Sequence, residues 1–145
     1  MTVRLDQINI VVRDMEAMSG FYRRLGLRIE SASPEWAAHH RSDDSVEDGG
    51  VVDLDLDSQE FARLWNEGWP GGAGVVLTFR VESREEVDHL YSDLASGGYR
   101  TQQRPYDTFW GARFAVVVDP DGNSVGLMSQ PDPTRATAPP LPPSE

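Results

Sequence analysis

The chain has 145 residues, a length that favours one domain large enough to bury its own core. Asp and Glu total 24 against 13 Lys and Arg, a formal charge of -11 that makes nucleic acids and anionic membranes poor partners. The absence of cysteine excludes disulfides, thiolate metal clusters and cysteine nucleophiles. No apolar run approaches the roughly 20 residues of a membrane span, so the sequence predicts a soluble cytoplasmic protein.

The first half of the chain begins with a strand pattern followed by a helical one. Ile8, Ile10 and Val12 share one face of the predicted strand, and Asp14 is placed to cap the helix that follows. This helix carries an apolar stripe at helical spacing. Three further strands are predicted, around residues 27–31, 36–42 and 51–57.

The same pattern returns in the second half of the chain. Its first strand covers residues 75–81, and Ser83 with Glu86 forms a capping-box pattern at the start of a helix. The apolar stripe of this helix repeats the first at a constant offset of 69 residues, so that Val87 corresponds to Met18. Three strands are again predicted afterwards, around residues 99–103, 111–119 and 124–129.

Each half is therefore predicted to be a βαβββ module, about residues 3–57 and 75–130, with a linker at 58–74. The helix of each module covers one face of its half-sheet, so the other faces must curl around one shared cavity or pair with another chain. The fold class is α+β, with a single folded domain at 1–130. Residues 131–145 are rich in proline and poor in large apolar side chains, which predicts a mobile tail.

Four segments carry a resemblance to a known family: LDQINIVVRD at 5–14, FYRRLGL at 21–27, FWGAR at 109–113 and DPDGN at 119–123. In this order they resemble the glyoxalase/bleomycin-resistance/dioxygenase family, the vicinal oxygen chelate fold. The resemblance covers about residues 3–130. It implies paired βαβββ modules, usually in a homodimer, with a ligand or metal site inside the curled sheet. It leaves the reaction undetermined, because one fold serves many functions.

Metal-using members of that family carry four ligands on the first and last strands of the two modules. The resemblance places these positions at Gln7, Asp53, Val76 and Gly126. Gln7 and Asp53 could each give an oxygen to a divalent cation, but Val76 and Gly126 have no donor side chain. A catalytic site needs about three protein ligands, so we expect these to be vestigial positions without a cofactor. A divalent metal is the less favoured alternative.

Strand alternation predicts the polar lining of the cavity. If Ile8 and Ile10 pack under the helix, then Gln7 and Asn9 face the cavity. The same rule places Thr78, Arg80 and Met128 there from the second module, and Asp53 and Asp55 from the first. Asp57 alternates onto the same face, and the three aspartates would form an acidic wall that attracts a cationic ligand, or else belong to a solvated strand. Predicted ligand-binding residues are Gln7, Asn9, Trp36, Asp53, Asp55, Thr78, Arg80, Trp110, Arg113 and Met128.

Trp36 and Trp110 occupy equivalent places in the two modules, each just before the penultimate strand. They could flank a planar ligand, although packing in the core or at a dimer interface is the alternative. Arg80 and Arg113 are candidates to neutralise the aspartates when the cavity holds no cation.

The adjacent residues His39 and His40 are the candidate catalytic groups. Neighbours on a strand point to opposite faces, so only one could enter the cavity and act as a base. A polar pair on an edge strand is the alternative, as is a displaced metal site with Asp53 or Asp55.

Three functions stay open. The favoured one is metal-free binding or sequestration of a small aromatic or cationic molecule, resembling the antibiotic-sequestering branch of the family. The alternative is a metal-dependent lyase, isomerase or ring-cleaving dioxygenase of the glyoxalase type. The third is a dimeric domain without a small-molecule site. The incomplete ligand set, the acidic strand and the tryptophans favour the first. The expected partners are a small-molecule ligand and a second copy of the chain, because exposed edge strands are commonly completed by pairing.

Overall fold

A computed structural model describes residues 3–24, 28–31, 39–42 and 52–140; of their side chains, those of 21–23, 31 and 39–42 are not described. The secondary structure follows the predicted order, with two βαβββ units separated by one short helix. The elements are β1 (Arg4–Val12), α1 (Met15–Arg24), β2 (Ile29–Ser31), β3 (His39–Ser42), β4 (Asp53–Ser58), α2 (Gln59–Trp65), β5 (Gly74–Arg80), α3 (Arg84–Ser96), β6 (Thr101–Asp107), β7 (Arg113–Val118) and β8 (Ser124–Met128).

The described strands form one mixed sheet in the order β2-β3-β4-β1-β5-β8-β7-β6. Each module contributes one half, in which the first strand lies parallel to the last: β1 to β4, and β5 to β8. The two halves meet where β1 and β5 pair antiparallel. The predicted α+β class with two βαβββ modules around a curled sheet is confirmed.

The module helices cover one face of this sheet, as their apolar stripes predict. Val87 of α3 packs with Val81 and Leu127, while Val12 and Leu56 form the smaller core beside α1. Both predicted caps are present: Asp14 Oδ1 accepts from Ala17 N at 3.0 Å, and Ser83 Oγ accepts from Glu86 N at 3.1 Å. Within the described ranges, none of the helices is long and apolar enough to span a membrane.

The segment between the modules does more than link them. The side chains of Phe61 and Trp65 on α2 are buried in a third core on the opposite face of the sheet. Ser58 caps α2 by accepting from Phe61 N at 3.1 Å. Beyond the helix, Asn66 Nδ2 donates to Gln102 Oε1 of β6 at 3.2 Å. The segment predicted as a linker therefore contacts β6 of the second module and forms one side of the core.

The chain after Pro131, predicted to be a mobile tail, makes backbone hydrogen bonds with the segment 109–111 over residues 132–137. Asp132 N donates to Gly111 O at 3.0 Å, and Thr137 N donates to Phe109 O at 2.7 Å. Asp132 also caps a single 3-10 turn, Pro133–Arg135, by accepting from Thr134 N at 2.9 Å. A proline-rich composition predicts that a segment buries little apolar surface. Its residues other than proline still have backbone N–H groups that can donate hydrogen bonds. The boundary of the folded unit at residue 130 stays a prediction.

Candidate functional site

A cavity of about 390 Å³ lies on the sheet face opposite α1 and α3. Strands β1 and β4 form its floor, α2 and β7 line one side, and the segment around Phe109 and Trp110 completes the enclosure. The floor is polar and the opposite wall is aromatic. This division follows from the alternation of β1 and β4, which present polar residues to the face where α2 presents rings.

The floor of the cavity, which is also its polar wall, is built from neighbouring residues on β1 and β4. Gln7 lies directly beside Asp53, and Asn9 lies beside Asp55. The positions that alternation predicts for these four residues are confirmed, while their binding of a ligand stays a prediction. The described polar residues of this wall are Asp6, Gln7, Asn9, Asp53, Asp55 and Asp57.

A buried hydrogen-bond network holds the floor in place. Asn9 Nδ2 donates to Asp57 Oδ2 at 3.0 Å, and Asn9 Oδ1 accepts from Gln7 Nε2 at 3.1 Å and from Thr78 Oγ1 at 3.2 Å. The side chains of Asp57 and Thr78 are fully buried. Because Asn9 donates on one side and accepts on the other, its amide orientation is fixed. Thr78 was predicted to bind the ligand. Its hydroxyl donates a hydrogen bond to Asn9 and so stabilises the floor.

A β-bulge adds an acidic residue that alternation misses. The pairing of β1 with β5 shifts between Leu5 and Gln7, so Asp6 is an extra residue in β1. A bulge re-aims side chains, and here both Asp6 and Gln7 line the cavity. Asp6 Oδ2 lies 2.9 Å from Arg80 Nη2 at the end of β5, and both side chains are largely buried. No pattern in the sequence marks this bulge.

The aromatic wall is a chain of edge-to-face contacts. Phe61 meets Phe109 with ring centroids 6.0 Å apart, Phe109 meets Trp110 at 5.0 Å, and Trp110 meets Phe114 at 5.7 Å. Trp65 closes the chain against Phe114 at 5.7 Å. Such pairs contribute about 0.5–1.5 kcal/mol each beyond their buried area. The spacing of Phe61 and Trp65, one helical turn apart, was the sequence signal that could have identified this wall.

Trp110 and Met128 lie at the cavity as predicted, and they contact each other. Trp110 Nε1 donates to Met128 Sδ at 3.4 Å, which orients the indole. Pro131 also lines the cavity, so the start of the C-terminal segment contributes to its wall. Trp36, the predicted counterpart of Trp110, lies outside the described residues.

Arg113 does not join the cavity wall. Phe114 faces the cavity, so its neighbour on β7 projects toward α3. There Arg113 Nε lies 2.9 Å from Asp88 Oδ1, and Nη1 lies 3.2 Å from Asp107 Oδ1. The hydrogen bond that Arg113 donates to the Asp88 carboxylate raises the pKa of the Arg113 guanidinium. Arg113 was predicted to bind the ligand and to neutralise the aspartates, but it lies on the opposite face of β7 from Phe114 and pairs with Asp88 and Asp107 instead.

The two histidines lie on β3, where their backbones pair with different positions of β4. His39 pairs with Asp57 and His40 pairs with Leu56. Their side chains are outside the described part of the chain, so their catalytic role stays a prediction.

The four positions that the resemblance assigns to metal ligands do not fall into two equivalent pairs. Gln7 lies beside Asp53, but Val76 lies beside Ser124, and Gly126 lies beside Thr78, because the paired residues of the first and last strands are two residues further apart in the second module than in the first. The side chain of Val76 is fully buried in the core.

Gly126 has no room for a ligand side chain. A Cβ there would lie 2.7 Å from Thr78 Oγ1 and 3.1 Å from the Phe114 ring. Val76 and Gly126 thus lack a donor, and the Phe114 ring occupies the space beside Gly126. Among the described residues, no three His, Cys, Asp or Glu side chains come together as a metal-binding group. A metal at these positions does not fit the residues present.

The paired modules and the cavity within their curled sheet define the class of protein. The sequence profile described as Glyoxalase/Bleomycin resistance protein/Dioxygenase superfamily matches residues 4–127. The chain belongs to this superfamily. A comparison with curated proteins finds no match.

Solved structures with the same fold include three of differing description. An NAD-dependent benzaldehyde dehydrogenase from Legionella pneumophila superposes with a TM-score of 0.62 and 22% identity, covering 85% of this chain and 96% of that one. A Mn(II)-bound glyoxalase from Novosphingobium aromaticivorans gives 0.61 and 19%, covering 88% of this chain and 40% of that one. An extradiol ring-cleaving dioxygenase from B. fuscum gives 0.61 and 21%, covering 91% and 34%. At these identities the likeness concerns the fold.

Proposed function

We propose that the chain binds a small organic cation with an aromatic or apolar body, and that it does so without a metal at the family's ligand positions. The observation that carries this proposal is the cavity with carboxylates on one wall and rings on the other. Asp6, Asp53, Asp55 and Asp57 line it, against one described guanidinium, that of Arg80. Carboxylates in a partly enclosed site attract cations more strongly than they do in water.

The aromatic wall supports the other half of the ligand's chemistry. Rings attract cations placed over their faces and stack on planar groups, contributing about 0.5–2 kcal/mol. The mutual edge-to-face packing of these rings keeps the wall in a defined shape before a ligand arrives. A preformed site loses less entropy on binding, which favours capture of a small molecule.

Val76 and Gly126 have no side-chain atom that can bind a metal. Their chemistry supports binding that does not involve the family's metal site. The enzymatic alternative, a glyoxalase- or dioxygenase-type reaction, would need its ligands elsewhere. Elemental analysis of protein purified without a chelator separates the two. One tightly held transition metal per chain would contradict the metal-free proposal.

The acidic wall is tested with a matched pair of probes, phenethylamine and its neutral analogue 2-phenylethanol. Asp53→Asn keeps the shape of a half-buried lining residue and removes its charge. We expect this variant to weaken the amine about tenfold, the loss of one charge-assisted contact, and to leave the alcohol unchanged. Asp93→Asn, at an exposed position on α3, is the matched control. Equal losses for both probes in titration calorimetry would contradict the proposal.

We also propose that two copies of the chain form a homodimer. The sheet face opposite the cavity carries exposed apolar residues near its centre, where the module helices do not cover it: Val3, Leu5, Val52 and Val75. Pairing across β1 and β5 places Leu5 beside Phe79 and Ile10 beside Val75 on this face of the sheet. Sedimentation at micromolar concentration should give twice the monomer mass of 16.1 kDa. A monomer would contradict the proposal.

A further inference from the structure

We infer that the C-terminal segment at 132–137 is part of the binding site, because its backbone positions Phe109 and Trp110 of the aromatic wall. Binding of a ligand ring and attachment of this segment are therefore coupled. This role rests on the proposed function and extends its ring-binding half, whereas the acidic wall is not involved.

Phe109 and Trp110 lie in the turn between β6 and β7. The base of this turn is closed by Thr108, whose N–H donates to Ala112 O at 2.8 Å and whose Oγ1 accepts from Ala112 N at 3.0 Å. The carbonyl groups of Phe109 and Gly111 instead accept hydrogen bonds from outside the turn. The position of the two rings therefore depends on the groups that donate to these carbonyls.

The C-terminal segment supplies both donors. Asp132 N donates to Gly111 O at 3.0 Å, and Thr137 N donates to Phe109 O at 2.7 Å. The contact at Gly111 is close, since a Cβ there would overlap Asp132 O. Because the two bonds lie on either side of Trp110 in the sequence, they fix the backbone that carries its indole.

The two donors belong to one hydrogen-bonded unit. Asp132 O accepts from Arg135 N at 3.0 Å, and Asp132 Oδ1 accepts from Thr134 N at 2.9 Å and from Thr134 Oγ1 at 2.7 Å. These bonds form the 3-10 turn Pro133–Arg135 and so set the spacing between the N–H groups of Asp132 and Thr137. The segment thus holds the turn at two points as a single body.

The segment reaches the cavity through Pro131, which lines it together with Phe109 and Trp110. The same two rings connect Phe61 to Phe114 in the aromatic wall, with successive centroid distances of 6.0, 5.0 and 5.7 Å. A displaced turn would remove both rings from the surface that a ligand ring contacts. Coupling between two binding events is reciprocal, so a ligand held by these rings stabilises the attached segment by the same free energy that the segment adds to binding.

The segment can detach without unfolding the protein. Residues 133–138 are exposed, so they add little to the three cores. Segments with few buried contacts open locally at a lower free-energy cost than the core does. A ligand can therefore shift the attachment of this segment, which an anchor buried in the core would not show.

Thr137→Pro tests the positioning role, because proline has no N–H to donate to Phe109 O. The proline fits the backbone, since Ala136 has a φ of -70° and a ψ of 141°, a conformation that suits a residue before proline. Thr137→Ala keeps the N–H and removes only an exposed side chain, so it is the matched control.

Phenethylamine and 2-phenylethanol share a ring and differ in charge. We expect Thr137→Pro to weaken both by the same factor, about three- to tenfold, because both lose contacts with the aromatic wall. Thr137→Ala should weaken neither. Titration calorimetry measures the affinities, and urea unfolding confirms that both variants are folded.

Amide exchange in the unaltered protein measures the coupling from the other side. Saturation with 2-phenylethanol should slow exchange at Thr137 by the same factor that Thr137→Pro loses in affinity, as reciprocity requires. Asn123 is the control amide, since its N–H donates to Asp119 Oδ1 at 2.8 Å in the turn at the other end of β7. Its exchange should not change.

The outcomes separate this role from the proposed function. Unchanged binding of both probes to Thr137→Pro would overturn the positioning role, and so would an exchange rate at Thr137 that does not respond to 2-phenylethanol. A loss confined to phenethylamine would also overturn it, because the effect would then belong to the acidic wall. Equal affinity of the unaltered protein for the two probes, with an equal loss of both in Thr137→Pro, would contradict the cation site and support the positioning role. No binding of either probe at about 1 mM would contradict both.

Discussion

Asn9 Nδ2 and Asp57 Oδ2 are joined by a 3.0 Å hydrogen bond that ties β1 to its neighbour β4 in the cavity floor. Both side chains are buried, and Asn9 receives two further bonds, from Gln7 and Thr78. The floor of the proposed binding site is thus held together by buried hydrogen bonds between β1, β4 and β5. Its polar groups are paired with each other in the interior, which a purely apolar sheet face would not require.

Asn9→Ala should lower the free energy of unfolding by about 2 kcal/mol, because it removes the amide donor from a buried carboxylate. Thr78→Val, which removes a single hydroxyl donor and keeps the side-chain shape, should cost less. Urea unfolding measures both. Because the two residues share a bond, the double variant should lose less than the two single losses together. A larger effect for Thr78→Val than for Asn9→Ala would show that Asn9 does not organise the network.

Gly111→Ala should destabilise the protein and loosen the C-terminal segment. Gly111 has a φ of 87°, and an added Cβ would lie 2.1 Å from Asp132 O. Gly122→Ala is the matched control, since its φ is 94° but no atom lies within 4 Å of the added Cβ. The control isolates the backbone cost of about 1–2 kcal/mol, and Gly111→Ala should exceed it. Faster amide exchange at Thr137 in Gly111→Ala, but not in Gly122→Ala, would place the difference at the C-terminal segment. Equal losses of stability in the two variants would show that the contact of Gly111 with Asp132 has no consequence.

Phe114→Ala should be among the most damaging substitutions in the aromatic wall, at about 3–5 kcal/mol. The Phe114 ring is buried and contacts Trp65, Tyr106 and Trp110 edge to face. Phe79→Ala is the control of identical chemistry on the opposite face, where the ring is only half-buried. Chemical unfolding should give the smaller loss for Phe79→Ala. Equal losses would contradict the larger contribution expected of the more deeply buried Phe114 ring.

Alkaline pH should weaken the fold through Tyr106. Burial, with the nearby charge of Glu67, raises the pKa of the Tyr106 hydroxyl above its ordinary value of 10.0. The unfolded chain ionises this tyrosine near that value and the folded chain does not, so its contribution to stability is complete below about pH 10 and is lost as the pH rises further. Tyr106→Phe also removes the hydroxyl that donates to Trp65 O at 3.1 Å.

We therefore expect Tyr106→Phe to cost about 1 kcal/mol at neutral pH and to retain its stability better than the unaltered protein above about pH 10. Urea unfolding at the two pH values provides the measurement. Tyr99→Phe, at an exposed tyrosine, is the control. A difference in the free energy of unfolding between Tyr106→Phe and the unaltered protein that stays constant at all pH values would contradict this role of Tyr106.

The sequence by itself determined the local elements and the faces of most strands. Val12 points toward α1, Val87 of α3 points toward the sheet, and Gln7 and Asn9 line the cavity on the other face, because alternation and helical spacing depend only on neighbouring residues. The caps at Asp14 and Ser83 follow for the same reason. The internal offset of 69 residues indicated two modules, since the same local pattern must form the same local unit.

Only the tertiary structure decided how the site is assembled. The bulge that turns Asp6 toward Arg80 depends on the register between β1 and β5, residues far apart in the chain. The placement of α2 as the aromatic wall depends on its packing against Phe114, and the binding of the C-terminal segment depends on the carbonyls of Phe109 and Gly111. These are long-range pairings, and a periodic pattern read along the chain specifies which face a residue occupies but not which distant residue meets it there.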